Sequence, residues 1–284
     1  MTHETEHTAA SASVTTMHRP DGTACLVRHW RAAAPRGVVL MVHGLGEHSG
    51  RYAHVAQRLL QWGYSVRAYD QWGHGQSSGS RGGLPLDSQL LDDLAWQVDE
   101  ARAAHPGLPL ILLGHSMGGL VVARFVGLRL RPVDGLVLSS PALNPGLNPV
   151  QKLLVAVLPR LLPSLRVKNG LQVSHISHDE QVVAQYVADP LVHPYISARL
   201  GAWIAAQAPL AVASASSWSV PTLLLYAGAD KLVNAQGSRD FVRLAPSSVV
   251  QSQCFDGLYH EIFNERPELA QPVFAALQAW LAAR

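Results

Sequence analysis

The pentapeptide Gly114-His115-Ser116-Met117-Gly118 sets a serine between residues small enough for a crowded turn. By composition alone a chain with 23 glycines would show such a G-x-S-x-G about one time in ten, so its setting decides. The apolar run LPLILLGH ends on it and a helical pattern from Ser116 to Leu130 starts from it. That is the strand–turn–helix elbow that stands a serine hydroxyl at the carboxyl edge of a sheet. A hydroxyl is a weak nucleophile, so it needs a general base, and the base needs a carboxylate to orient it. On this kind of sheet the chain order is serine, acid, histidine. Asp230 follows the run TLLLYAGA, and His260 lies in the loop after SSVVQSQCF. Both positions fall at the carboxyl ends of predicted strands, the edge on which open α/β sheets bind ligands. Asp256 stands in the same loop as His260, while Asp134 and Asp240 sit at a strand start and within a helix. His175, His178 and His193 fall outside the alternating strands and helices and read as solvated residues or members of polar networks.

Acyl transfer also needs donors for the developing oxyanion. Val42-His43-Gly44-Leu45-Gly46-Glu47 follows the first long buried strand, and the backbone N–H groups of Leu45 and Met117 are the candidate pair. Other motifs carry less. His3-Glu4-Thr5-Glu6-His7 matches a zinc-protease pattern but lies in a polar tail rather than on a buried helix. The glycines 44/46/50 and 73/75/79 miss dinucleotide spacing. No metal and no cofactor is expected.

The elements that must hold these residues follow from periodicity. TTMHRPDGTACLVRHW predicts a hairpin turning at Asp21-Gly22. Gly37–His43, Tyr64–Asp70, Leu108–His115 and Val133–Ser140 are short apolar runs suited to strands buried on both faces. Helical spacing fills the gaps, from Tyr52 to Trp62 and from Asp87 to His105, with Asp87 as the expected N-cap. This alternation predicts a parallel sheet with helices on both faces. It stops between Pro141 and Trp218, a stretch of helical spacing broken by prolines, and resumes with VPTLLLYAGAD, a helix near Ala235–Leu244, a strand and a last helix from Pro267. A helical insertion above the sheet accounts for the gap. The expected organisation is a disordered tail over 1–12, a core over 13–140 and 219–284, and a cap over 141–218. With 48% hydrophobic residues, 15% charged and a net charge of +2, the chain reads as a packed globular enzyme without a nucleic-acid footprint. Two cysteines, Cys25 and Cys254, make neither a disulfide framework nor a zinc site. The N-terminus has no signal-peptide pattern, so a cytoplasmic protein is expected.

Several segments, taken together and in order, resemble the monoacylglycerol lipase and lysophospholipase branch of the α/β-hydrolases. They are HGLGEHSGRY (43–52), DQWGHGQS (70–77), LGHSMGG (113–119), Asp189-Pro190-Leu191, GADKLV (228–233) and Tyr259-His260-Glu261. The resemblance implies the α/β-hydrolase fold, with a mostly parallel eight-stranded sheet and a cap between the sixth and seventh strands. It implies the triad Ser116, Asp230 and His260, and an oxyanion hole at Leu45 and Met117. It also implies an apolar acyl tunnel beneath the cap and a polar pocket for the alcohol, with Glu47, Arg51, His115 and Tyr186 as the substrate-binding candidates. An ion pair under the cap is an equal reading of Glu47 and Arg51. Asp70 reads as the anchor of its own Gly-rich loop. The segment Ala142–Trp218 departs from the family pattern outside Asp189-Pro190-Leu191. The expected activity is ester hydrolysis through an acyl-enzyme, on monoacylglycerols or lysophospholipids. A short-chain or aryl carboxylesterase and a non-catalytic ligand-binding protein are the alternatives. A dehalogenase is disfavoured because it would carry aspartate in place of Ser116. Val150–Leu165, rich in leucine with Lys152 and Arg160 and no acidic residue, is expected to cover the tunnel and to meet lipid, giving peripheral membrane contact.

Overall fold

The computed structural model describes residues 12–284; the zinc-like pentapeptide at 3–7 and the expected tail up to residue 11 lie outside them. Strand β1 (Ser13–His18) turns at Asp21-Gly22 into β2 (Ala24–Trp30), antiparallel and in register from Ser13 opposite His29 to His18 opposite Ala24. The Asp21 carboxylate accepts Thr23 N–H at 2.8 Å, and Gly22 takes the positive φ that the turn needs. The chain then alternates: β3 (Gly37–Val42), α1 (Ala53–Gln61), β4 (Tyr64–Tyr69), α2 (Gln89–Ala104), β5 (Leu110–His115), α3 (Met117–Gly127) and β6 (Gly135–Ser139). After an insertion come β9 (Thr222–Ala227), α7 (Gln236–Leu244), β10 (Val250–Phe255) and α8 (Pro267–Ala282). The eight strands lie in the order β1-β2-β4-β3-β5-β6-β9-β10. β2 pairs with β4 antiparallel, and every pair beyond it is parallel.

Burial on both faces explains why the central strands read as unbroken apolar runs. Successive side chains point to opposite faces. Leu40, Leu112 and Leu138 pack with α2, α3 and α7, while Val39, Met41, Ile111, Leu113 and Val137 pack with α1 and α8. The strand order reverses at β3, whose sequential neighbours β4 and β5 lie on its two sides. The loops leaving β3 and β5 therefore face one crevice at a topological switch point.

Two local expectations need correction. α2 begins at Gln89 with Ser88 in the cap position, so Asp87 is not its N-cap. Backbone bonds, such as Asp92 N–H to Ser88 O at 2.9 Å, close that turn, and Asp87 stays exposed near Arg199. The segment between β6 and β9 also contains two three-residue strands, β7 (Arg166–Lys168) and β8 (Tyr195–Ser197), paired antiparallel. They are too short to show alternation in the sequence. The remaining elements there are α4 (Pro149–Leu161), α5 (Glu180–Ala188) and α6 (Ala198–Ala213). An Asn148–Gln151 capping box and Pro149 in the first turn start α4. Leu200, Trp203, Ile204, Ala208 and Ala211 of α6 are buried in the same cluster as α3. α4 buries no residue. Among the described residues no helix is long and apolar enough to cross a membrane.

Candidate active site

Ser116 links β5 to α3 with φ 54° and ψ −119°, a conformation costly for a residue with a Cβ, of order 1–3 kcal/mol. The two flanking glycines make it attainable. A Cβ on Gly114 would lie 2.5 Å from Gly118 O, and one on Gly118 would strike the carbonyl oxygen of Val42. Backbone bonds then lock the turn: Ser116 N–H donates to Ser139 O at 3.0 Å, and Ser116 O accepts Leu120 N–H at 3.1 Å and Ala142 N–H at 2.9 Å. Met117 opens α3 and carries one of the N–H groups that a helix start leaves without an intrahelical partner. The loop after β3 lies against the elbow, since a Cβ on Gly44 would come within 3.2 Å of Ser116 Cβ. Leu45 is the next residue of that loop.

Asp230 and His260 arrive from the ends of β9 and β10, parallel neighbours in the sheet. His260 Nδ1 lies 2.7 Å from Asp230 Oδ2, and both side chains are buried. Asp230 Oδ1 accepts Leu232 N–H at 2.8 Å and Val233 N–H at 2.9 Å, which fixes the carboxylate plane. The rivals are occupied elsewhere. Asp256 accepts the Cys254 thiol, Asp134 pairs with Arg102, and Asp240 pairs with Arg243. His193 is buried, with Nε2 on Gly73 O at 3.1 Å.

Two histidines, His115 next to Ser116 in the chain and His260, meet and are driven in opposite directions. Rings His115 and His260 lie 4.8 Å apart. Burial lowers the His115 pKa to about 4, assisted by the neighbouring His260. Burial also works against the His260 cation, but the Asp230 carboxylate and its hydrogen bond outweigh it, and the pKa rises above the ordinary 6.5. His260 is therefore the ring that can take up and return a proton near neutrality. A base must be neutral to accept the Ser116 proton. The neutral fraction grows as pH rises through the His260 pKa, so kcat/KM should climb along an acid limb centred above 6.5. A pH–rate profile measures this directly. A limb centred near 4 would point to His115 instead.

The four expected substrate contacts fall into two groups. Glu47, Arg51 and Tyr186 come together, and His115 lies behind them against His260. Glu47 is buried, and its Oε1 accepts Gly44 N–H and Tyr52 O–H, each at 2.6 Å, while Oε2 accepts Arg51 Nη1 at 2.6 Å. Arg51 forks onto Glu261 through two bonds of 2.7 Å, and its guanidinium lies 4.6 Å from the Tyr186 ring centre. Burial alone would raise the Glu47 pKa; Arg51, His115 and His43 reverse this and hold it at about 2. The ion-pair reading of Glu47 and Arg51 thus matches their contacts, and Glu47 holds the loop of the candidate oxyanion donor. Asp70 anchors two loops, accepting Gln76 N–H on one oxygen and Ser49 N–H on the other. Sequence reasoning left Glu261 and Glu265 without roles. An acidic residue directly after the histidine was the only available signal, and its partner Arg51 lies 210 positions away.

Two cavities border the segment between β6 and β9. One of about 490 Å3 lies between α5 and the loop before α1, lined by His48, Arg51, Tyr186 and Asp189. The other, about 590 Å3, lies between α4, α6 and α7, lined by Leu143, Leu147, Val155, Ala208 and Val212. Leu143 follows Ala142, whose N–H bonds the Ser116 carbonyl. Among the described residues no group of His, Cys, Asp or Glu is arranged to hold a metal ion.

A family described as serine aminopeptidase, S33 matches residues 33–267. A monoacylglycerol lipase of Mycolicibacterium smegmatis is 41% identical over 81% of this chain and 83% of its own length. Phospholipase YtpA of Bacillus subtilis is 32% identical over 88% of this chain and 97% of its own. The crystal structure of a Paleococcus ferrophilus monoacylglycerol lipase superposes with a TM-score of 0.81 at 35% identity, covering 90% of this chain and 98% of that one.

Proposed function

Since the chain belongs to the monoacylglycerol lipase branch of the α/β-hydrolases and is a serine carboxylic ester hydrolase, we propose that it cleaves monoacylglycerols or lysophospholipids through an acyl-enzyme on Ser116. The relatives named as a monoacylglycerol lipase and a phospholipase support that substrate class. The observation that carries the mechanism is the buried 2.7 Å contact of His260 with Asp230, with the His260 ring packed on His115, the neighbour of a strained Ser116. His260 Nε2 takes the Ser116 proton as Oγ attacks the acyl carbonyl. Leu45 and Met117 N–H groups hold the oxyanion. The carbonyl re-forms, the C–O bond to the alcohol breaks, and the imidazolium protonates the leaving oxygen. Water then attacks the acyl-serine with His260 again as base, releasing the fatty acid and Ser116. The cavity lined by Leu143, Leu147, Val155 and Val212 is the proposed acyl site, linked to the elbow through Leu143, the residue after Ala142. The alcohol lies toward Tyr186 and His115.

The cap's outer face meets the lipid surface that supplies such substrates. Val150, Leu153, Leu154, Val157 and Leu161 of α4 are all exposed, Leu153 and Leu161 to 64% and 72%. Leu158 is half-buried instead, on the side that carries Val155 toward α6. Lys152 and Arg160 flank the patch. An exposed apolar stripe with cations at its edge suits insertion at the headgroup level. Leu153→Ser with Leu161→Ser should weaken co-sedimentation with phospholipid vesicles and slow hydrolysis of vesicle-borne 1-oleoylglycerol several-fold. Hydrolysis of p-nitrophenyl acetate should not change. Equal losses on both substrates would mean that these leucines only stabilise the cap. A wild-type enzyme that turns over the acetate but no monoacylglycerol or lysophospholipid would overturn the substrate class.

A further inference from the structure

Glu265 lies five positions beyond His260 and touches none of the reacting groups, yet its side chain is fully buried. Its carboxylate gathers polar partners on both oxygens. Oε1 accepts Tyr259 N–H at 2.8 Å and stands 2.8 Å from His178 Nδ1. Oε2 accepts His178 N–H at 2.8 Å, and Ser177 Oγ lies 3.2 Å from it. Tyr259 directly precedes His260, whereas Ser177 and His178 belong to the segment just ahead of α5. The contacts around them close the same joint: Glu261 N–H donates to Ile176 O at 2.8 Å, Ser177 O–H to Asn264 O at 2.9 Å, and the His178 and Tyr259 rings stack at 3.6 Å.

We propose that Glu265 is a positioning residue for His260, fixing the backbone on which the imidazole is carried and tying that backbone to the cap segment at Ser177 and His178. The proposal rests on the triad reading above. Glu265 is the side chain that holds the residue directly before His260 by its backbone N–H, and displacements of about 1 Å at a catalytic group can cost on the order of 10²-fold in rate. Glu265 is the acceptor for the half-buried Tyr259 N–H, so removing the carboxylate leaves the residue before His260 to find another partner and shifts the loop.

Two conservative variants separate contact from charge. Glu265→Asp keeps the charge but is too short to reach both Tyr259 and His178. Glu265→Gln keeps the length but must turn its NH2 toward a donor on one side. With p-nitrophenyl acetate, a substrate too small to need the cap, both should lower kcat by about 10–10²-fold with KM little changed. Both should also move the acid limb of kcat/KM to lower pH, because His260 loses part of its contact with Asp230. The titratable groups facing His260 are Asp230, Glu261, Glu47 and His115, and none of them bonds Glu265, so the limb reports the placement of His260 itself. A lowered Tm with unchanged kcat and an unchanged acid limb would reduce Glu265 to a staple and overturn the proposal. So would a Glu265→Asp enzyme that behaves as wild type. Ser116→Ala, assayed alongside, keeps the two readings apart: activity surviving in that variant would overturn the triad and this proposal together.

Discussion

Ser116→Ala is expected to lower kcat for ester hydrolysis by about 10⁶-fold, as loss of the nucleophile does in other triad hydrolases, while the protein stays folded. The expectation of an intact fold comes from the elbow's construction. Its hydrogen bonds to Ser139, Leu120 and Ala142 all use the Ser116 backbone, and alanine meets the same φ of 54° at the same steric cost. What disappears is the hydroxyl proposed to be acylated. His260 and the backbone donors remain, so any residual rate reflects water attacking an ester that is merely bound. Circular dichroism and thermal unfolding would verify the fold, and p-nitrophenyl ester hydrolysis would give the rate. Turnover within tenfold of the wild type would place the nucleophile elsewhere.

Asp230→Asn has the second-largest expected effect, about 10⁴-fold in kcat, by the logic of triads in which the acid fixes the imidazole tautomer. The geometry here makes the direction specific. Asp230 Oδ1 accepts two backbone N–H groups, from Leu232 and Val233, so an asparagine must keep its carbonyl oxygen there and turn its NH2 toward His260. Nδ1 then becomes an acceptor, the proton moves to Nε2, and the ring can no longer take the Ser116 proton. Asp256→Asn serves as the comparison, since that carboxylate bonds Cys254 rather than His260, and its kcat should stay near wild type. The reverse order of damage would mean that the acid of the triad is misassigned.

These effects were legible in the sequence because each rests on local pattern. Ser116 could be placed since a buried strand and a helix meet at it, and Asp230 and His260 since each follows the end of a strand. The sheet itself followed from runs such as Val38–Val42 and Leu110–Leu113, whose burial on both faces leaves no polar residue to blur them. The parts that stayed hidden depend on contacts between distant segments. The Glu47–Arg51–Glu261 chain joins residues more than two hundred positions apart, and nothing in either neighbourhood announces the other. Glu265 bonds the segment ahead of α5, 87 positions earlier. β7 and β8 are each three residues long, below the length at which alternation can be read. Asp87 looked like a helix cap by residue type, but the backbone enters α2 through Ser88 and leaves the aspartate in solvent. Propensity describes what a residue can do at a helix start, while the path of the preceding loop decides which residue stands there.

The central claim, hydrolysis of monoacylglycerol esters through Ser116, is tested most directly by stoichiometric inactivation. The enzyme would be titrated with a fluorophosphonate, the modified peptide identified by mass spectrometry, and hydrolysis of 1-oleoylglycerol measured at each occupancy. One adduct per chain is expected, located on Ser116, with activity falling in proportion to that adduct and reaching zero when it is complete. Full labelling of Ser116 with monoacylglycerol hydrolysis undiminished, or loss of hydrolysis tracking an adduct on another residue, would contradict it.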